Sequence, residues 1–272
     1  GDAEKKLEVI SYVKEEQVEE IKQFLEQTPI TVEHLESGIT FDIEVTVHAG
    51  ADSAKVRIAN YHTNIVRIEK NGEILENIPV SGEEENNLTD RSLLDMEHIW
   101  EFINTVDVED VKPILEPQLR MNMAIAEEGM TNDYGANIGK VIWKTQEHTT
   151  ANHARAMAAA GSDARMNGCE MPVVINSGSG NQGITASVPV VIFARELGVS
   201  EEKMYRALAL SNLTAIHQKT PIGRLSAFCG AISAGVGAGA GISYLKDGDY
   251  KVLIHTVVNA LAIVSGIVCD GA

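Results

Sequence analysis

The chain has 272 residues, with 39 acidic against 22 basic side chains, a formal charge of −17, and 44% hydrophobic but only 5% aromatic content. That length and apolar share suit a globular chain of about two domains. So acidic a balance argues against a nucleic-acid partner, whose binding rests on Lys and Arg neutralising phosphates.

The start reads without a secretory leader. The most membrane-like stretch, Val252–Val268, is interrupted by His255 and Asn259 and is short for a bilayer span. Cys169, Cys229 and Cys269 are too few and too scattered for a disulfide framework and suit a reducing compartment. The expectation is a cytoplasmic protein with no nucleic-acid and no membrane partner.

Glu15–Gln27 reads as a polar amphipathic helix with Val18, Ile21, Phe24 and Leu25 on one face. From Thr40 to His48 the period changes to two, through Phe41, Ile43, Val45 and Val47. Lys55–Ile58 and Ile65–Ile68 alternate as well, and Asn71-Gly72 sets a hairpin before Ile74-Leu75. Residues 1–80 are therefore expected to form a small antiparallel α/β lobe. Residues 81–90, rich in glutamate and asparagine, read as a solvated acidic linker.

Residues 91–272 are expected to form an all-helical catalytic domain, which makes the class α+β. The predicted helices are Leu93–Asn104, Val108–Met130, Ile138–Gly161, Ile184–Leu197, Glu201–His217, Leu225–Leu245 and Val252–Ile267. Asp107 and Ser200 look like helix starts, and Asp247-Gly248-Asp249 like a turn.

One stretch stands out. Asn176–Gly183 reads Asn-Ser-Gly-Ser-Gly-Asn-Gln-Gly, directly after the apolar run Pro172–Ile175 and ahead of a helix. On its residues alone it is either a helix-breaking turn or a cradle whose backbone N–H groups meet a small anion at a helix N-terminus. Cys229 and Cys269, each taken alone, fit buried packing. The absence of a CxxC pair excludes zinc-ribbon and ferredoxin spacing, although isolated thiolates brought together by a fold can still hold a cluster.

Cys169 is open between a third ligand, a thiol base and core packing, with packing favoured. His148 and His153 are five apart, off the same-face spacing of a helix, and make no convincing metal pair. His217, Lys219 and Arg224 form a basic group that suits a carboxylate, although a lone lysine in so acidic a chain is more often a surface ion-pair partner. Tyr61–Asn64 reads as a turn closing a strand.

Arg224–Ala231 (Arg-Leu-Ser-Ala-Phe-Cys-Gly-Ala) and Gly266–Gly271 (Gly-Ile-Val-Cys-Asp-Gly), preceded by Asn176–Gly183, resemble the L-cysteine desulfidase family, which is related to the alpha chain of iron–sulfur L-serine dehydratases. The likeness also takes in His62-Thr63-Asn64-Ile65 and so spans most of the chain. The resemblance implies a lyase that holds a [4Fe-4S] cluster by three cysteines with one iron open to substrate. Carried over, Cys229 and Cys269 match two of the ligands. The third lies beyond the last residue here, and a Gly-Cys-Thr-Glu-Pro segment of the family is not found, which gives the expectation of a fragment.

The loop would hold the substrate carboxylate through Ser177, Gly178, Ser179, Gly180, Asn181 and Gln182, with Arg224 beside them. The implied reaction is β-elimination from L-cysteine or L-serine to pyruvate and ammonia, with sulfide from cysteine. A small amino acid and a second copy of the chain, as a homo-oligomer, are the expected partners. The general base is not identifiable from the sequence. Two alternatives stay open: a pyridoxal-phosphate lyase, with Lys140 or Lys144 as the aldimine lysine, and a non-catalytic ligand-binding or oligomer-forming module that lacks the cluster.

Overall fold

Alternating side chains build the first unit. The structure, a computed structural model, describes residues 4, 13–80, 90–223 and 226–264, and the chain divides into one unit of Lys14–Arg91 and another from Ser92 onward. In the first, strands β1 (Asp42–Ala49), β2 (Asp52–Ala59), β3 (Ile65–Lys70) and β4 (Glu73–Asn77) form an antiparallel sheet in chain order. Val45 faces Val56, which faces Ile68, so the apolar positions share one side.

The other side carries ion pairs. Lys55 Nζ lies 2.7 Å from Glu44, and Arg57 reaches both oxygens of Asp42 at 2.8 and 2.6 Å. The Arg57 hydrogen bonds hold the Asp42 carboxyl below the usual range. The hairpin turn is Asn71-Gly72, with φ of 52° and 83°, as its residue types require. Helix α1 spans Glu15–Gln27 as expected and buries none of its residues. Of the expected linker at residues 81–90, residues 81–89 lie outside the described residues.

The second unit holds α2 (Met96–Thr105), α3 (Val108–Thr131), α4 (Ile138–Thr145), α5 (Thr150–Met166), α6 (Gly180–Leu197), α7 (Glu201–Lys219), α8 (Ala231–Leu245) and α9 (Tyr250–Val264). The class is α+β. Asp107 and Ser200 do cap their helices, accepting from the N–H groups of Glu109 and Lys203 at 3.1 and 3.2 Å.

Helix α6 is apolar all round. Its Ile184, Ala186, Val188, Val190 and Val191 are each 0% exposed, so it must be enclosed, and α3, α5, α7 and α8 surround it. Among the described residues no helix is long and apolar enough to cross a membrane.

Several predicted helices differ in where they start or break. Ile138–Gly161 is broken at Gln146–Thr149, where Thr149 caps α5 by accepting from Asn152 N–H at 3.2 Å. Of the helix expected over Leu225–Leu245, Leu225 lies outside the described residues and the helix starts at Ala231, after Phe228 and Gly230 meet Lys219 and Gln182.

The approach of α8 to α7 depends on Gly237, where an added Cβ would lie 2.3 Å from the Ser211 carbonyl oxygen. Gly237→Ala is expected to cost about 1–3 kcal/mol in urea denaturation, as overpacked sites do. Gly235 has open space around its Cα, so Gly235→Ala should be neutral or gain up to about 1 kcal/mol. Equal losses in the two variants would show that close approach is not what Gly237 serves.

Candidate functional site

The Gly/Ser loop is fixed before it begins. Asn122 on α3 is 0% exposed, and its carboxamide pairs with the Val174 peptide as a strand would. It accepts from Val174 N–H at 2.9 Å and donates to the Val174 carbonyl at 3.1 Å and to Ser187 Oγ at 3.0 Å. Ser187 Oγ donates in turn to the Gly183 carbonyl at 2.7 Å. A Cβ on Gly183 would lie 2.0 Å from the Val174 oxygen, so only glycine lets the loop close on the segment before it.

A second clamp holds the loop's first residue. Buried Asn176 donates to Asn212 Oδ1 on α7 at 2.9 Å. Asn212 also exchanges hydrogen bonds with Gln118 on α3, at 2.9 and 2.8 Å.

Between these anchors the backbone makes a tight turn. Asn176 and Ser179 exchange both backbone hydrogen bonds at 3.1 Å, and the two residues between them, Ser177 and Gly178, have φ of 48° and 84°. Ser179 is the N-cap of α6, with Gln182 N–H at 3.5 Å from its Oγ. Helix α6 therefore begins at Gly180, not at Ile184 as expected, and half of the expected loop is its first turn.

The backbone N–H groups of Ser177, Gly178, Gly180 and Asn181 have no hydrogen-bond partner among the described residues. They stand at the positive end of α6, as an anion cradle requires. The side chains do other work. Ser177 Oγ donates to Asn176 Oδ1 at 3.0 Å, and Asn181 Oδ1 accepts from Arg165 at 3.2 Å.

Gln182 joins the loop to the cysteine segment. Its side chain turns to Gly230, where an added Cβ would lie 2.0 Å from the Gln182 Cδ. Cys229 is a half-buried free thiol beside that contact. Lys219 is buried at 4% exposure and donates to the Phe228 carbonyl at 3.2 Å, so it braces the cysteine arm and does not stand at the surface. Arg224 and Cys269 lie outside the described residues, and among the described residues no group of three His, Cys, Asp or Glu side chains is assembled for a metal ion.

Lys140 is paired with Asp133 at 2.7 Å and Lys144 is exposed. Cys169 packs against the core, as favoured, and also lines a cleft of about 570 Å³ with Glu128, Tyr134 and Met171. Tyr134 Oη donates to Glu128 at 2.9 Å. That carboxylate, and then the Cys169 thiol, hold the phenol well above its ordinary range.

Gln118, Asn122 and Asn212 were missed in the sequence. The signal was there: Gln118 and Asn122 share the stripe of α3 that carries Leu115, Ile125 and Gly129, all buried. Polar residues at core positions of a helix ask for specific partners.

Free amides at a helix N-terminus, joined through Gln182 to the cysteine arm, are an arrangement that suits a small anion. The chain belongs to the serine dehydratase alpha chain family, whose family model matches residues 4–272.

Similar curated proteins are UPF0597 proteins. That of Desulfitobacterium hafniense is 55% identical over 100% of this chain and 63% of its own length. Those of Lachnoclostridium phytofermentans and Treponema denticola are 48% and 44% identical, also over 100% of this chain, and over 65% and 64% of theirs. The chain thus spans less than two thirds of these relatives. No solved structure matches it.

Replacing Asn122 by leucine keeps the volume but strips the partners from the Val174 peptide. Asn122→Leu should lose about 2 kcal/mol or more of stability and speed hydrogen exchange at Val174. Unchanged exchange there would remove the clamp. Tyr134 gives a pH signature. Its raised folded value means that its contribution to stability is full below the ordinary phenol range and is lost as pH rises through the folded value. In an alkaline absorbance titration Tyr134→Phe should remove a late-ionising component and flatten the alkaline loss of stability.

Proposed function

We propose that this chain carries the substrate-binding part of a β-eliminating lyase acting on a small L-α-amino acid, L-cysteine or L-serine. The products are pyruvate and ammonia, with sulfide from cysteine. The observation that carries this reading is the Gln182–Gly230 contact, which joins the first turn of α6 to the residue after Cys229. Membership of the serine dehydratase alpha chain family supports the reaction class.

In this reading the N–H groups of Ser177, Gly178, Gly180 and Asn181 hold the substrate carboxylate, with Arg224 as a further cation. The turn is locked by Asn176 and Asn122 before substrate arrives, so little ordering is left for binding to supply. Holding the carboxylate fixes the direction of the Cα–H bond and turns the β substituent toward the cysteine arm.

Cys229 suits an iron ligand: it is free, half-buried and just ahead of α8, whose positive end favours negative charge on sulfur. It and Cys269 would hold two corners of an iron–sulfur cluster, which when bound supplies a Lewis acid for the departing thiol or hydroxyl. Lys219 keeps Phe228, and so Cys229, in place.

The test uses the full-length protein purified without oxygen, assayed for iron, visible spectrum and pyruvate from L-cysteine and L-serine. Pyruvate should form with both or either substrate. Cys229→Ser and Cys269→Ser should each lose iron and turnover, and Cys169→Ser should keep most of its iron. An iron-free protein with full activity, or unchanged iron in the first two variants, would sink the cluster reading. An absorbance band removed by borohydride would replace it with an aldimine enzyme.

A further inference from the structure

Among the described residues, Gln182 is the buried carboxamide left with an unsatisfied oxygen; the hydroxyls of Thr214 and Ser243 are unpaired too, but neither stands at the α6 N-terminus. Gln182 is 7% exposed, and its Oε1 is buried without a hydrogen-bond partner. Its Nε2 makes no hydrogen bond to protein either among the described residues. A buried carboxamide with no partner is costly, and its persistence calls for an explanation. Neighbouring carboxamides show the contrast: Asn122, Asn176, Asn212 and Gln118 are all paired.

The position is as telling as the missing partner. Gln182 sits in the first turn of α6, beside the N–H groups of Gly180 and Asn181. Its far end lies on Gly230, the N-cap of α8, which has no side-chain cap of its own. Two helix N-termini therefore meet at this carboxamide, and both favour negative charge. The free Nε2 can donate to a carboxylate, but a simple carboxylate brings no donor and leaves the buried Oε1 acceptor without a partner. That acceptor is matched by a ligand that carries a donor next to its carboxylate.

We infer that Gln182 Oε1 accepts a hydrogen bond from the α-ammonium group of the substrate, while the amides at α6 take its carboxylate. This rests on the lyase reading for the place of the substrate. It changes the role of Gln182 from one more carboxylate contact to the group that distinguishes an α-amino acid from the same acid without its nitrogen. Sites built to satisfy a ligand's hydrogen bond reject the analogue that lacks it, because the protein's own polar group is then stranded.

The experiment measures, on the full-length protein prepared without oxygen, the affinity for L-serine and for 3-hydroxypropionate by calorimetry, with iron content and pyruvate formation followed in parallel. The unaltered protein should prefer L-serine. Gln182→Met, similar in volume but without the amide, should weaken L-serine about tenfold or more and change 3-hydroxypropionate less than about twofold, on the scale of a lost charged hydrogen bond. Gln182→Glu keeps an acceptor and should retain L-serine. Gly230→Ala should reproduce the loss by pushing the carboxamide aside, which guards against a folding artefact of a single variant.

Equal weakening of both ligands by Gln182→Met, no weakening of either, or no preference in the unaltered protein would each overturn the assignment. Serine preference that depends on Gln182 without any pyruvate would sink the lyase reading and leave this assignment standing.

Discussion

Everything at the candidate site depends on one exchange of hydrogen bonds, that between the Asn122 carboxamide and the Val174 peptide. A chain segment that leaves regular structure inside a protein must still satisfy its N–H and C=O groups. Here a side chain on α3 does so for Val174, and the same side chain reaches Ser187 on α6. Three pieces of the chain that share no backbone ladder are thus fastened at a single carboxamide. Asn212 does the same for Asn176 and Gln118. Because these amides are satisfied by one another, the turn at Ser177-Gly178 cannot relax without stranding several buried groups together.

That rigidity is what permits the backbone to be left open. The N–H groups at Ser177, Gly178, Gly180 and Asn181 face no competing partner among the described residues, so in the proposed reading an anion would meet donors already arrayed. The loop side chains are turned to support: Ser177 to Asn176, Ser179 to the start of α6, and Asn181 to Arg165. A loop rich in Ser and Asn invites the reading that its hydroxyls and amides touch the ligand. In this structure Ser177, Ser179 and Asn181 have protein partners, and the backbone amides are the groups left open.

The fold was legible where the signal is local. Strand alternation, the Asn71-Gly72 hairpin, and the caps Asp107 and Ser200 each depend on a few neighbouring residues, and α1 lies at Glu15–Gln27 as read. The misses are of another kind. Helix α6 starts four residues early because Ser179 caps it, which becomes visible only once Asn176 and Ser179 are known to pair. Sequence leaves Lys219 open between a carboxylate-holding basic group and a surface ion pair, whereas the fold buries it and its ammonium donates to the Phe228 carbonyl beyond the end of its own helix. Local pattern says which residues are polar. It does not say which of them will find each other across the fold.

The balance of satisfied and unsatisfied groups also separates scaffold from site. In a packed interior the default is that every carboxamide is paired, because an orphan costs more than a hydrogen bond returns. Asn122, Asn176, Asn212 and Gln118 follow that default, and Gln182, buried as they are, does not. A purely structural role for Gln182 would favour a hydrophobic residue of the same length, which would fill the space on Gly230 without a stranded amide. That the position holds an amide, between two helix ends that attract carboxylates, ties its cost to a ligand and not to the fold.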